Sequence, residues 1–309
     1  MTTTAGGAGA SAAPGAARAR RRRREAGLAL LLIAPALVIF SVFVFFPFAK
    51  NFELALYRNP PFPGLPSKFV GLKQIGDVLG SSDFRNSLSV TVVFALLTVP
   101  VGIILGLLLA QLANQRLRGI SIYRTIFSST VATSVAVASV IFGTLMNPQV
   151  GLLPWLGINP TPAILDNPSW ALPAVALATI WQNLGLSFIL MSAGLQAVPD
   201  DVLEAAQVDG ASASTRFWRV TVPLLSPTIF FTAVVGSIFA FQTFGQIDLL
   251  TRGGPQNKTN VLTYFIVTQL HDHQNPGTAA VLSIALFLIT LVLTLLQLRF
   301  LERRVHYAR

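Results

Sequence analysis

Long, uninterrupted apolar runs constrain this chain more than any other feature, because about twenty consecutive apolar residues are best accommodated as a helix across a bilayer. Six such runs stand in the sequence, at residues 26–48, 87–113, 126–146, 170–198, 221–244 and 277–300. Lipid offers no hydrogen bonds to an open backbone, so each run is expected to be helical. The predicted fold class is all-α: a polytopic membrane protein with six transmembrane helices. Composition agrees, since 53% of the 309 residues are hydrophobic and only 11% are charged, too apolar a mixture for the surface of a soluble domain. Pro35, Pro100 and Pro173 fall within or near the runs and are read as kinks.

Charge sets the orientation. An even number of spans puts both termini on one side. If that side is the cytoplasm, it collects Arg18, Arg20 to Arg24, Arg116, Arg118, Arg124, Arg216, Arg219, Arg299, Arg303, Arg304 and Arg309, while residues 147–169 carry no Lys or Arg. The excess of positive charge predicts cytoplasmic N- and C-termini and a multi-pass protein of the plasma membrane, in contact with membrane lipid. The net charge of +10 does not point to nucleic acid, because the basic residues flank apolar runs and do not sit on an aromatic-studded soluble face. The absence of cysteine excludes disulfides and thiolate metal sites. None of the three histidines sits at ligand spacing in a span, and neither a catalytic nor a metal site is predicted.

Residues 1–17 are small, polar and low in complexity, and residues 1–25 are expected to form a disordered basic cytoplasmic tail ahead of a six-helix domain at 26–309. The start could also be read as a secretory signal. Against this, the apolar run is too long for a signal core and leads into Phe43 to Phe48 without a small-residue cleavage site. Residues 59–66, rich in proline, are expected to be irregular. Residues 69–79 carry apolar side chains at helical spacing and are expected to lie along the outer interface.

Every Asp, Glu, Lys and Arg can be placed outside the six apolar cores, with Asp248 nearest to an exception. An ion-coupled pump ordinarily keeps a buried carboxylate for its driving ion, so energy for transport is expected to come from elsewhere. Inside the spans lies uncharged polarity: Gln182, Asn183 and Ser187 on the fourth, Gln242, Thr243 and Gln246 on the fifth. Two readings stay open. These groups could tie helices together, or they could line a path for a hydroxylated solute, helped by the apolar faces of Phe239, Phe241 and Phe244.

Between the fourth and fifth runs the sequence reads AVPDDVLEAAQVDGASASTRFWRVTVP. Pro199 ends the membrane helix, and Asp201 with Glu204 three residues on forms an acidic variant of the capping box at the start of a new short helix. Val202, Leu203, Ala205 and Ala206 would admit another surface, and Gly210 supplies a helix stop. A second segment runs to Pro223, with Phe217 and Trp218 expected at the bilayer surface.

The stretch EAAQVDGASASTRFWRVTVP resembles the EAA loop of permease subunits of binding-protein-dependent ABC importers, with Val220 and Val222 where Ile and Leu are more usual. Residues 69–75, 84–94 and 249–266 look like the carbohydrate branch of that family, and the C-terminal LTLLQLRFLERRVHYAR is similar to the first permeases of glycerol-3-phosphate importers. The resemblance implies that the loop 199–223 docks on a cytoplasmic ATPase, with Glu204, Ala205, Ala206, Asp209, Gly210 and Pro223 as ATPase-coupling residues. It implies a solute path at Gln182, Asn183, Gln242, Thr243 and Gln246. It further implies a second homologous permease, two ATPase subunits that bind the ATP and magnesium, an extracytoplasmic solute-binding protein, and no enzymatic activity or cofactor in this chain. A phosphate-bearing solute calls for cations or helix N-terminal amides, and the spans offer no cation, so a neutral sugar remains the rival solute. A stand-alone ion-coupled carrier and a membrane anchor for a cytoplasmic enzyme are the rival functions.

Overall fold

The computed structural model describes residues 14–58, 67–115, 118–158 and 160–301. The expected irregular stretch 59–66 and residues 1–13 of the expected tail lie outside them. The chain divides into two compact units, residues 1–53 and 54–309.

The first unit is a single rod. Helix α1 (Pro14–Phe40) passes through a π-helical turn at Ser41–Phe45 into α2 (Phe46–Leu54). Pro47 lacks the N–H that the carbonyl of Phe43 would otherwise accept, and the ladder widens just before it. Residues 14–25, expected to be disordered, are helical. Alanine and arginine are good helix formers, and extending an existing helix avoids the cost of nucleation.

The second unit begins with a two-residue antiparallel ribbon, β1 (Tyr57–Arg58) against β2 (Lys68–Phe69), followed by α3 (Leu72–Leu79). Its longest helix, α4 (Ser82–Ala113), starts where the Ser81 hydroxyl accepts from Phe84 N–H at 3.1 Å. Its 32 residues extend ~48 Å at ~1.5 Å each, more than the hydrocarbon thickness. After α5 (Ile120–Ser129) and α6 (Val135–Leu145) come the short α7 (Leu152–Trp155) and the central helix α8 (Ala171–Gln196). The elbow between spans comprises α9 (Asp200–Val208), α10 (Ala213–Arg216), a π-turn at Phe217–Thr221 and α11 (Val222–Leu224). Then follow α12 (Ser226–Phe241), α13 (Gly245–Leu250), α14 (Leu262–His271) and α15 (Pro276–Leu301).

Among the described residues four helices are long and apolar enough to span, and there are six spans if each of two bent pairs is taken as one. The third expected span breaks between Ile120–Ala132 and Val135–Leu145 at 105°. Serine and threonine crowd that break and compete for the backbone; the Ser134 hydroxyl caps α6 by accepting from Val137 N–H at 3.2 Å. The fifth bends by 65° between Ala213–Leu224 and Ser226–Phe241, where Pro227 removes the N–H owed to the Pro223 carbonyl. Its helix stops at Phe241 instead of reaching residue 244. Pro173 makes no kink, because it lies in the first turn of α8, where no intrahelical N–H is required.

Helix α8 is the spine. It packs most extensively on α4, and the backbones approach so closely that a Cβ on Gly106 would lie 2.7 Å from the Ser187 Cβ. One apolar cluster gathers Phe94, Val175, Ala240 and Ile247. Another, at the elbow end, gathers Leu107, Phe188, Met191, Leu195 and Leu225. Helix α3 packs Ile75, Val78 and Leu79 against Ala280 and Val281 of α15, so the amphipathic segment 69–79, expected along the interface, belongs to the bundle.

Candidate functional site

The elbow is built as two helices around one glycine. Helix α9 begins one residue earlier than the expected capping box. Pro199 is its N-cap, no side chain caps it, and Asp200 and Asp201 occupy its first turn. Two carboxylates there suit the positive end of the helix dipole without a capping hydrogen bond. Glu204 therefore lies in the helix body, exposed. At the other end, Ala211 N–H donates to Ala206 O at 3.0 Å and Gly210 N–H to Gln207 O at 3.1 Å, the paired bonds of a Schellman stop. The motif needs a left-handed residue, and Gly210 sits at φ 80°. Helix α10 starts at Ser212, whose hydroxyl accepts from Thr215 N–H at 3.3 Å. Arg216 Nη1 donates to Gln207 Oε1 at 2.6 Å and ties the two arms together.

The elbow has two faces. Leu203, Phe217 and Val222 pack into the apolar cluster at the end of α4 and α8. Val202, Glu204, Ala205, Val208 and Asp209 face outward, with Val208 87% exposed. Ala206 and Pro223 are half-buried. Phe217 and Trp218, both expected at the bilayer surface, divide: the Phe217 ring joins the core and Trp218 stays exposed, edge-on to it at 5.0 Å. Helical spacing from Leu203 would have exposed this division in the sequence, since residues 203 and 206 fall on one side and 202, 205 and 208 on the other.

The five polar residues expected to line a path separate into different environments. Gln182 Nε2 donates to Thr133 O at 3.3 Å, and Gln246 Nε2 donates to Gln182 Oε1 at 3.2 Å. Together they stitch the break in the third span to α8 and α13. Gln246 is 4% exposed. Thr243 is buried and donates to Phe239 O at 3.0 Å, whereas Gln242 is exposed just past the end of α12. Beside it Phe244 stacks on Tyr264 at 5.9 Å. Burial, with Asp248 and Asp272 adding to it against Arg252, pushes the Tyr264 hydroxyl up, so it stays protonated at neutral pH.

Asn183 alone of the five lines a narrow cleft of about 50 Å³ between α4, α8 and α12. Ser187 lines it too, as do Thr98, Thr179 and Thr232, which sequence reasoning missed. Their one sequence signal is a hydroxyl in each of three apolar helices. Those three hydroxyls donate backward to Phe94 O, Val175 O and Thr228 O at 2.9, 3.0 and 2.8 Å, and Asn183 Nδ2 donates to Thr179 O at 3.0 Å. What they turn toward the cleft is mainly lone pairs. The wall accepts hydrogen bonds and suits hydroxyl donors. No charged residue lines it among those described.

Residues 87–307 match the family described as the binding-protein-dependent transport system inner membrane component. The chain belongs to that family. This permease is 39% identical over 282 residues, 90% of its own length and 95% of the relative, to the sn-glycerol-3-phosphate transport system permease protein UgpA of Agrobacterium fabrum. It is 36% identical over the same shares to the protein of that name from Yersinia enterocolitica. Among solved structures it shares its fold with a bacterial ABC transporter for import of the acidic polysaccharide alginate, at TM-score 0.79 and 21% identity over 93% of this chain and 99% of that one. A second structure of an alginate transporter, in complex with a periplasmic protein bound to alginate pentasaccharide, matches at TM-score 0.80 and 20% identity over 94% and 99%. The permease is thus an all-α, multi-pass inner-membrane component of a binding-protein-dependent importer.

Proposed function

We propose that this permease forms half of the translocation path of an ATP-driven importer for sn-glycerol-3-phosphate, a glycerophosphodiester or a related sugar solute. It pairs with a second homologous permease, receives solute from an extracytoplasmic binding protein, and is driven by two ATPase subunits that hold the ATP and magnesium. Its termini face the cytoplasm. The names of its relatives support the solute class. The observation that carries the drive mechanism is the two-faced elbow: Leu203 and Phe217 are locked into the bundle, while Glu204, Ala205 and Asp209 are presented outward. A partner gripping the outer face would move α4 and α8 as one body, because the inner face shares their core. Gly210 makes the turn, the alanines admit the partner, and Glu204 offers it a carboxylate.

The solute path we assign to Asn183 and the hydroxyls around it, with Gln242 and Phe244 beyond the end of α12. Gln182 and Gln246 act as its scaffold through their mutual hydrogen bond. The hydroxyls of a glycerol or sugar moiety would donate into this acceptor-rich wall. One feature favours a second reading, a neutral oligosaccharide: the wall holds no cation among the described residues. The assembled complex with its binding protein decides between them. Stimulation of ATP hydrolysis by sn-glycerol-3-phosphate or its diesters, and not by neutral disaccharides, is expected; the reverse selects the oligosaccharide. Ion-gradient-driven uptake by the chain reconstituted alone would instead establish a stand-alone carrier.

A further inference from the structure

A second cleft, of about 250 Å³, lies at the elbow end of the bundle between α5, the end of α4 and the last turns of α8. It continues into the groove beside Pro199, with which it shares Asn114 and Gln196. Its lining is apolar at Phe188 and Ile189 and polar at Arg124, Ser128 and Ser192. Arg124 donates from Nε and Nη2 to Ala113 O at 3.1 and 2.8 Å, so the carbonyl at the end of α4 holds the guanidinium in place. A guanidinium has five N–H donors. Two are used there, and three remain.

Ser192 lines the same cleft, and its hydroxyl is buried and without a hydrogen-bond partner among the described residues. A buried hydroxyl left unpaired is costly, and this one belongs to a cleft that Arg124 also lines. No carboxylate lines this cleft among the described residues, and Asp200 lines the adjoining groove. A preoriented guanidinium fork, neutral donors from Ser192, Asn114 and Gln196, and apolar lining residues match the chemistry of a phosphate ester.

We infer that this cleft is a phosphoryl-anion site at the elbow end of the permease, separate from the cation-free path between α4, α8 and α12. The phosphate ester can come from two sources: the headgroup of an anionic phospholipid, whose chain would lie along the apolar lining, or a soluble phosphomonoester on the exit side. The inference does not require the solute assignment made above, since the lipid source is independent of it.

Two arms of one experiment separate the sources in the assembled transporter. Native mass spectrometry of delipidated complex counts retained dioleoylphosphatidylglycerol against dioleoylphosphatidylcholine. Calorimetry in phosphatidylcholine nanodiscs, without binding protein, titrates sn-glycerol-3-phosphate against glycerol. At least one phosphate probe is expected to bind in preference to its control. Ser192→Leu fills the cleft while leaving the bonds from Arg124 to Ala113 in place, and should weaken that binding by roughly tenfold or more, as loss of a charge-assisted hydrogen bond gives. Arg124→Lys should weaken it less than Arg124→Gln, because it keeps the charge but loses the fork. The responding arm identifies the source. Failure of both probes to exceed their controls, or binding unchanged in Ser192→Leu, overturns the site; ATP hydrolysis stimulated by binding protein, measured on the same samples, reports separately on the solute assignment.

Discussion

The permease carries two connections that each turn on a glycine at positive φ, Gly210 at 80° in the elbow and Gly253 at 76° in the loop 251–261, and they are built in opposite ways. The loop 251–261 closes most of its polar groups internally, Asn260 Oδ1 excepted. Thr251 and Thr259 share a hydrogen bond at 2.7 Å, Thr259 Oγ1 also reaches Gly254 O at 2.6 Å, and Thr259 is fully buried. Asn86 Nδ2 pins Asn257 O at 3.0 Å, and Thr91 Oγ1 accepts from Leu262 N–H at 2.8 Å, fastening the loop to α4. The elbow has one side-chain tie between its arms, Arg216 to Gln207, and leaves its carboxylates exposed. A loop held by its own hydrogen bonds and by α4 has its shape fixed within the chain; an elbow that presents unspent groups on a well-anchored helix fits the partner contact proposed above.

The sharpest break of this contrast is at the two turns. Gly210→Pro forces φ toward about −65° where the Schellman stop needs a left-handed residue. Transport should be lost while the amount of protein in the membrane stays normal, as read by uptake assays beside quantitative blotting. Glu204→Arg should act alike by reversing the charge offered to the partner. Disappearance of either variant from the membrane would mean that the elbow serves folding and not coupling.

At the loop 251–261 the expected effect is on stability. Thr259→Val deletes two hydrogen bonds at a fully buried position and leaves the Thr251 hydroxyl only its bond to Ile247 O at 3.2 Å, which should cost ~1–3 kcal/mol and lower the thermal unfolding midpoint of the purified complex. An unchanged midpoint would show that the loop draws its rigidity from elsewhere. Between the two connections, Gln182→Leu strands the Gln246 amide at a comparable cost of ~1–3 kcal/mol, and adding Gln246→Leu should recover part of it. A double variant as unstable as the sum of the singles would refute their coupling. The smallest effect is expected at the exposed tie: Arg216→Ala should change stability by less than ~1 kcal/mol, and a large loss would show the elbow to be more self-sufficient than its bonding implies.

Much of the architecture was legible in the residues. Bilayer hydrocarbon is a uniform solvent, so a window of apolar residues reports a span whatever its neighbours, and the runs at 87–113 and 170–198 correspond closely to α4 and α8. The elbow was legible because proline, glycine and clustered acids act locally. The broken third span was not: residues 126–146 read as one apolar run, and the break at Thr133 depends on hydroxyls that hydropathy scarcely weighs. The path residues were legible as a class, but their sorting was not, since an amide on an apolar helix has the same local pattern whether it faces a cleft or a neighbouring helix.

What the sequence determined by itself is the solvent of each segment and the position of the elbow, both consequences of short-range chemistry: transfer of side chains into lipid, and the backbone demands of proline and glycine. What only the tertiary structure decided is which polar groups meet. Gln182 finds Gln246 64 residues away and Thr133 49 residues away, and Asn183, next to it in the chain, turns instead into the cleft. Such pairings depend on how helices distant in sequence are rotated and how closely they pack, and no local pattern carries that information.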